Sequence, residues 1–304
     1  MNPVTRATPA GRAYLDLQNR ARREGRGTQE YLTAYVVERW LARLSGSPHA
    51  SQFVLKGGVL LAALGQRRPT VDADALAIGL AADADVVATR VAEIAAIEDP
   101  EDGVEYVIAT LATQTIRDHA LYHGIRVAMD ARIATAVVKL RLDINFGDPV
   151  TPEPRLITLP GLRPDSAPIK VLGYPIETVL AEKITTAIDL AETNTRVRDL
   201  ADIYTLTGAH KVTWASMREA LTTTATFRNV DLVPLMTAVG GLASLRRGDY
   251  RAYRDSLGHY GEHLPENLAD AIAAAAGFAD PLIHEAGAAL RTWDPHARRW
   301  TASG

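Results

Sequence analysis

Phe53-Val54-Leu55-Lys56-Gly57-Gly58 is a short apolar run closed by two glycines, and together with the residues up to Leu76 it constrains the fold more than any other stretch. Val59 to Leu64 can continue as a helix. Arg68 to Leu76, read Arg-Pro-Thr-Val-Asp-Ala-Asp-Ala-Leu, then forms an extended segment. Strand, glycine turn, helix and acidic strand thus succeed one another between Phe53 and Leu76. Residues i and i+2 of an extended segment project from the same face, which sets Asp72 beside Asp74. A helix start opened by glycines offers unpaired N–H groups to a phosphate, and paired carboxylates can hold the divalent cation that accompanies it. The stretch therefore reads as a nucleoside-triphosphate site.

The rest of the first half supports a sheet with one buried face. From Val137 to Phe146 the alternation is strict, with Val138, Leu140, Leu142, Ile144 and Phe146 on one side and Lys139, Arg141, Asp143 and Asn145 on the other. If this strand pairs with the one carrying Asp72 and Asp74, Asp143 brings a third carboxylate to the same metal site. Val104 to Thr115 and Gly124 to Ile133 read as further strands. Helices are expected over Gln29 to Leu44, where Tyr31, Leu32, Tyr35, Val36, Trp40 and Leu44 fall at helical spacing, and over Asp83 to Ile97.

Gly147-Asp148-Pro149 ends the strand region, and the proline-rich stretch from Pro149 to Pro168 reads as a connector. The expected architecture is α+β. Residues 1–165 form a lobe with a mixed sheet and N-terminal helices, and residues 166–304 form a mainly α-helical lobe. From Val212 onward the pattern reads as helical, with scattered aromatics and no site.

Two helices of the second lobe break their own patterns. From Ile176, the apolar positions Val179, Leu180, Ile184, Ala187 and Ile188 make one stripe, and Lys183 falls inside it. Its alkyl stem could simply pack while the ammonium reaches water. The sharper reading sends the ammonium into a cleft to meet phosphate. In the next helix, roughly Arg198 to Leu206, Asp199 sits among Leu200, Ile203 and Leu206, and Asp202 lies along the same side. An unpaired buried carboxylate costs on the order of several kcal/mol, so Asp199 requires a cation, with Lys183, Arg196 and Arg198 in range by sequence.

Composition removes several classes. The chain has no cysteine, so disulfides, thiolate metal sites and a cysteine nucleophile are excluded together, and any bound metal rests on oxygen or histidine ligands. A cytoplasmic setting fits this. There is no apolar run of membrane-spanning length and no signal peptide in the sequence given. The net charge of −3 decides nothing about nucleic acid, but arginines cluster at Arg20, Arg22, Arg23 and Arg26 and again at Arg246, Arg247, Arg251 and Arg254. Each cluster reads either as a solvated helix face or as a surface that follows a polyanion backbone.

Three separated segments agree with one family. Lys56-Gly57-Gly58, Thr70-Val71-Asp72-Ala73-Asp74, and Tyr174-Pro175-Ile176-Glu177 through Ala181-Glu182-Lys183 to Arg196-Val197-Arg198-Asp199-Leu200-Ala201-Asp202 together resemble the AbiEii/AbiGii-type nucleotidyltransferase toxins, which include mycobacterial members that modify transfer RNA. The resemblance implies a polymerase-beta-like nucleotidyltransferase lobe followed by a helical lobe, acting as the toxin of a toxin–antitoxin pair. It implies Mg²⁺ or Mn²⁺ held by Asp72 and Asp74, an NTP substrate, an RNA acceptor such as the tRNA 3′ end, and a cognate antitoxin. Lys183 with Asp199 or Asp202 becomes essential, and Lys56, Gly57 and Gly58 position the triphosphate in an interlobe cleft. Thr70 occupies the hydroxyl position at which some members are phosphorylated. Gly57-Gly58 stands where the wider superfamily has Gly-Ser, and Ala75 where a bulkier apolar residue is common. Two other readings stay open: transfer to a protein or small molecule, and a non-catalytic nucleotide-binding protein.

Overall fold

The computed structural model describes residues 3–65, 72–118, 122–284 and 291–302. In chain order these form α1 (Pro9–Arg23), α2 (Thr28–Ser45), β1 (Phe53–Lys56), α3 (Gly57–Ala63), β2 (Ala73–Ala77), α4 (Ala84–Ala95), β3 (Glu105–Asp118), β4 (Tyr122–Ile133), β5 (Ala136–Phe146), β6 (Arg155–Leu159) and β7 (Ile169–Gly173). They continue as α5 (Ile176–Leu190), α6 (Val197–Ala209), α7 (Trp214–Arg228), α8 (Leu235–Val239), α9 (Leu242–Leu245), α10 (Arg247–Ser256), α11 (Leu268–His284), β8 (Arg291–Asp294) and β9 (Arg299–Ala302). The chain divides into two compact units, Met1–Gly147 with Arg155–Gly173, and Asp148–Pro154 with Tyr174–Gly304.

The first unit is built on a seven-stranded sheet in the order β3-β4-β5-β2-β1-β7-β6. β2 runs parallel to β5 and β1 parallel to β7, while the other neighbours are antiparallel, so the sheet is mixed as expected. In β5 the alternation holds: Val138, Leu140, Leu142 and Ile144 are buried, and Lys139, Arg141, Asp143 and Asn145 are not. The buried face meets α2. Trp40, Leu41 and Leu44 line a small apolar gap with Leu55, Ala73, Ala75, Leu142 and Ile144, and Trp40 meets Phe53 edge-on at 5.8 Å. Each fully buried aromatic of this kind contributes about 3–5 kcal/mol against truncation to alanine.

Local chemistry sets the helix ends. Thr8 caps α1 by accepting from the Gly11 N–H, and Asp83 caps α4 by accepting from the N–H groups of Asp85 and Val86. α2 also carries Arg43 into the interior, where it pairs with Asp102 at 3.0 Å and donates to the carbonyls of Ile97 and Val104. Burial pushes the Asp102 carboxyl up, against the opposing pull of the Val104 N–H and the Arg43 charge.

The stretch from Pro149 to Pro168 is not a bare connector. β6 lies within it, paired antiparallel with β7, and its prolines flank the strand at Pro154 and Pro160 without interrupting it.

In the second unit α5 packs on α6 and α7, and α11 covers α6 and α8. The reading of the chain after Val212 as helical throughout is corrected at its end, where β8 and β9 form a hairpin. Its indoles hold it in place: Trp293 lies 4.9 Å from Phe278 and Trp300 lies 5.0 Å from Trp214, both edge-on. Among the described residues no helix is long and apolar enough to cross a membrane.

Candidate active site

In the first unit the candidates Lys56, Asp74 and Asp143 stand in one row across the sheet, ended by Arg126. Lys56 stands opposite Asp74 in the β1–β2 register, Asp74 opposite Asp143 in β2–β5, and Asp143 opposite Arg126 in β4–β5. Residues directly across a strand pair project to the same face, so cation, carboxylate, carboxylate and cation follow one another on the side of the sheet away from α2. Two adjacent carboxylates repel, and a cation at each end of the row offsets that repulsion.

The glycine turn fits against this row. Gly57 opens α3 with φ of +66°, a backbone state that glycine adopts at little cost. A Cβ at this position would collide with Asp74 Oδ2 and lie 2.6 Å from its Cγ. The glycine thus serves two ends: it turns the chain from β1 into α3, and it leaves room for the Asp74 carboxylate.

Asp143 binds Arg126 in a fork, with Nε donating to Oδ1 at 2.7 Å and Nη2 to Oδ2 at 2.6 Å. The Arg126 guanidinium is raised above its ordinary value, first by this hydrogen bond, then by the Asp143 charge, and further by Asp72 and Asp74. All three carboxylates therefore act on one guanidinium. Asp72 and Asp74 are half-buried, and Lys56 is buried. Thr70 and Val71 lie outside the described residues, so the structure does not place the candidate modification site.

The donor chemistry of Asp72 and Asp74 suits a hard cation. Among the described residues no three His, Asp or Glu side chains gather as a metal site. Mg²⁺ is commonly held by one or two carboxylates together with substrate phosphates, and the aspartate pair beside a glycine turn fits that pattern. Asp143 is brought next to Asp74 as the strand pairing anticipates, but both of its oxygens face Arg126.

In the second unit, Lys183 joins α5 to α6. Its Nζ donates to Asp199 Oδ1 at 2.7 Å and to Asp202 Oδ2 at 2.8 Å. Arg196 pairs with Asp199 Oδ2 at 2.7 Å, in an ion pair whose angles are not those of a hydrogen bond. Burial alone would push the Asp199 carboxyl up, yet the charges of Lys183 and Arg196 and the Lys183 hydrogen bond hold it at about 2. The requirement for a cationic partner is thus met twice. Asn194 organises the approach to α6: its buried side chain accepts from the Arg196 N–H at 2.7 Å.

Sequence reasoning did not single out Arg126. An arginine on the polar side of a strand reads as solvated, and only the register places it beside Asp143. The arginine clusters divide in their use. Arg20 and Arg26 pair with Glu24 and Glu30, and Arg246 with Asp249, whereas Arg22, Arg23, Arg247 and Arg251 reach solvent.

The first unit thus sets an aspartate pair beside a glycine turn, and the helical unit holds a lysine–aspartate cluster. Residues 39–276 match the family described as Nucleotidyl transferase AbiEii toxin, Type IV TA system. The chain belongs to this family, and by family it is a nucleotidyltransferase toxin with a cognate antitoxin. No curated protein matches it. Among solved structures, that of a candidate nucleotidyltransferase from H. pylori is similar at 16% identity and a TM-score of 0.48, covering 83% of this chain and 94% of its own. JHP933 from Helicobacter pylori is similar at 16% identity and a TM-score of 0.44, covering 83% of this chain and 91% of its own.

Proposed function

We propose that the protein transfers a nucleoside monophosphate from an NTP to RNA, with the 3′ end of tRNA as acceptor, in a reaction that needs Mg²⁺ or Mn²⁺, and so blocks translation in the cytoplasm. The observation that carries the reading is the seating of Asp74 over Gly57, with Asp72 two residues before it and Lys56 across the ladder. Asp72 and Asp74 would hold a divalent cation, which when bound would supply Lewis-acid charge to the phosphates. Lys56 and the Gly57 and Gly58 amides orient the triphosphate. In the helical unit Lys183, held by Asp199 and Asp202, is the essential lysine that the family resemblance implies. The acceptor hydroxyl oxygen attacks the α-phosphorus in line and gives up its proton to solvent water, the bond from that phosphorus to the bridging oxygen breaks, and pyrophosphate leaves with its electron pair.

The RNA acceptor is favoured by the family resemblance and by the exposed Arg22, Arg23, Arg247 and Arg251, which suit a phosphate backbone. Incubating the purified protein with each α-labelled NTP, Mg²⁺ and total RNA tests the proposal. Label is expected in the tRNA band, to vanish with EDTA, and to be absent for Asp74→Ala and Lys183→Ala. Label found only in protein or a small molecule would move the acceptor, and metal-dependent NTP binding without turnover would end the enzymatic reading. Retained transfer by both variants would overturn the site.

A further inference from the structure

One guanidinium in the charged row is held as few surface arginines are. Arg126 gives Nε and Nη2 to the two oxygens of Asp143 in the parallel fork geometry that fixes both the position and the plane of the group. The Asp143 side chain is 13% exposed and that of Arg126 is 41% exposed, so the carboxylate is the anchor and the guanidinium its outward end. Arginine carries five N–H donors, and Asp143 engages two. The remaining donors lie on Nη1 and Nη2, away from the anchor. The charges of Asp72 and Asp74 also act on this guanidinium, which places it in the field of the two residues assigned to the cation.

We propose that Arg126 binds the triphosphate of the incoming NTP and that Asp143 is the residue that positions it. The inference rests on the nucleotidyltransferase reading above. A triphosphate carries more negative charge than its divalent cation neutralises, and a planar guanidinium matches phosphate oxygens in pairs where an ammonium cannot. A free arginine would lose rotamer freedom on binding, but Asp143 has already fixed this one.

The test uses the full chain and four probes, ATP, CTP, GTP and UTP. Dissociation constants are measured with Mg²⁺ and no RNA, and KM, kcat and Mg²⁺ half-saturation are measured for label transfer to total tRNA, with a thermal melt for each variant. Arg126→Gln and Asp143→Asn are each expected to raise the NTP dissociation constant and KM by about tenfold to a hundredfold, the scale of one lost charge-assisted phosphate contact. Neither should change kcat or Mg²⁺ half-saturation by more than about twofold. The double variant should be no worse than the weaker single, because both remove the same contact. Asp143→Glu, which keeps the carboxylate, should recover part of the affinity. If Asp143→Asn instead raises the Mg²⁺ requirement while Arg126→Gln leaves NTP affinity intact, Asp143 is a metal ligand and the inference is overturned. Should either variant melt early, Arg126→Lys decides: it keeps the charge without the fork, and unchanged KM overturns the proposal. Wild-type protein that binds and transfers none of the four nucleotides sinks the nucleotidyltransferase reading itself, whereas wild-type transfer with unchanged variants sinks only this step.

Discussion

Gly57 leaves the space that the Asp74 carboxylate fills: a methyl group on the Gly57 Cα would lie 2.6 Å from the Asp74 Cγ. The second glycine of the pair, Gly58, is buried in α3, but it is Gly57 that carries the positive φ. Conformation and clash therefore both bear on one residue, next to a proposed metal ligand.

Gly57→Ala should consequently damage chemistry more than folding. The left-handed backbone costs about 1–2 kcal/mol for alanine, a tolerable loss for a unit of this size. Displacement of Asp74 is the larger effect, because a shift of about 1 Å in a catalytic group can cost on the order of a hundredfold in rate. Label transfer by Gly57→Ala should fall about a hundredfold while its far-ultraviolet circular dichroism stays that of the wild type. Full activity would mean that Asp74 need not stand where it does.

Lys183 is expected to serve stability and chemistry together, and the two can be separated. Lys183→Met removes the cation between Asp199 and Asp202, whose side chains are 3% and 6% exposed, and leaves Asp199 paired with Arg196 and in the field of Arg198. Breaking a buried pair from one side costs about 3–5 kcal/mol, whereas neutralising both partners is often close to neutral. Urea unfolding should show Lys183→Met destabilised by about 3 kcal/mol and the double variant Lys183→Met/Asp199→Asn partly restored. Label transfer should be absent from both. Activity returning together with stability would show that Lys183 acts only as a structural cation.

The legibility of each feature in the sequence depends on where its signal resides. Lys183 and Asp199 stand out because a charge inside an apolar helical stripe is anomalous within its own element, and they prove to be partners. Asp143 is visible as a polar position in a strictly alternating strand, and the strand pairing then brings it beside Asp74. Arg126 gives no such signal, since its neighbours on β4 alternate normally and its meaning comes from a partner on another strand. β6 is masked in the sequence by prolines that turn out to flank it. The β8–β9 hairpin has strands of four residues, too short for a period-two pattern to be distinguished from helix ends.

The acid sensitivity of the second unit has a defined sign. Asp199 has its folded value lowered from 3.8 to about 2, so its contribution is fully present above about pH 4 and is lost as pH falls through about 2. The size of that contribution is roughly 2 kcal/mol. Urea midpoints measured between pH 5 and 2 should fall for the wild type and fall less steeply for Asp199→Asn, which has no proton to take up. Parallel curves would show that other carboxyl groups carry the acid response.

The final hairpin should be a structural clasp for the helical unit. Trp293 is fully buried, donates its indole N–H to the Thr207 carbonyl at 2.6 Å, and packs edge-on against both Phe278 and Trp300. Its backbone N–H also reaches the Val212 carbonyl at 2.9 Å, so one residue ties β8 to the end of α6, the start of the α7 segment and α11. Trp293→Ala leaves a cavity among aromatic rings and an unpaired buried carbonyl, together costing about 4 kcal/mol. Trp293→Phe keeps most of the volume and loses mainly the hydrogen bond, about 1–2 kcal/mol. Tryptophan fluorescence followed through urea should rank wild type above Trp293→Phe above Trp293→Ala in midpoint. An alanine variant as stable as the wild type would show that the hairpin rests on the helices without holding them.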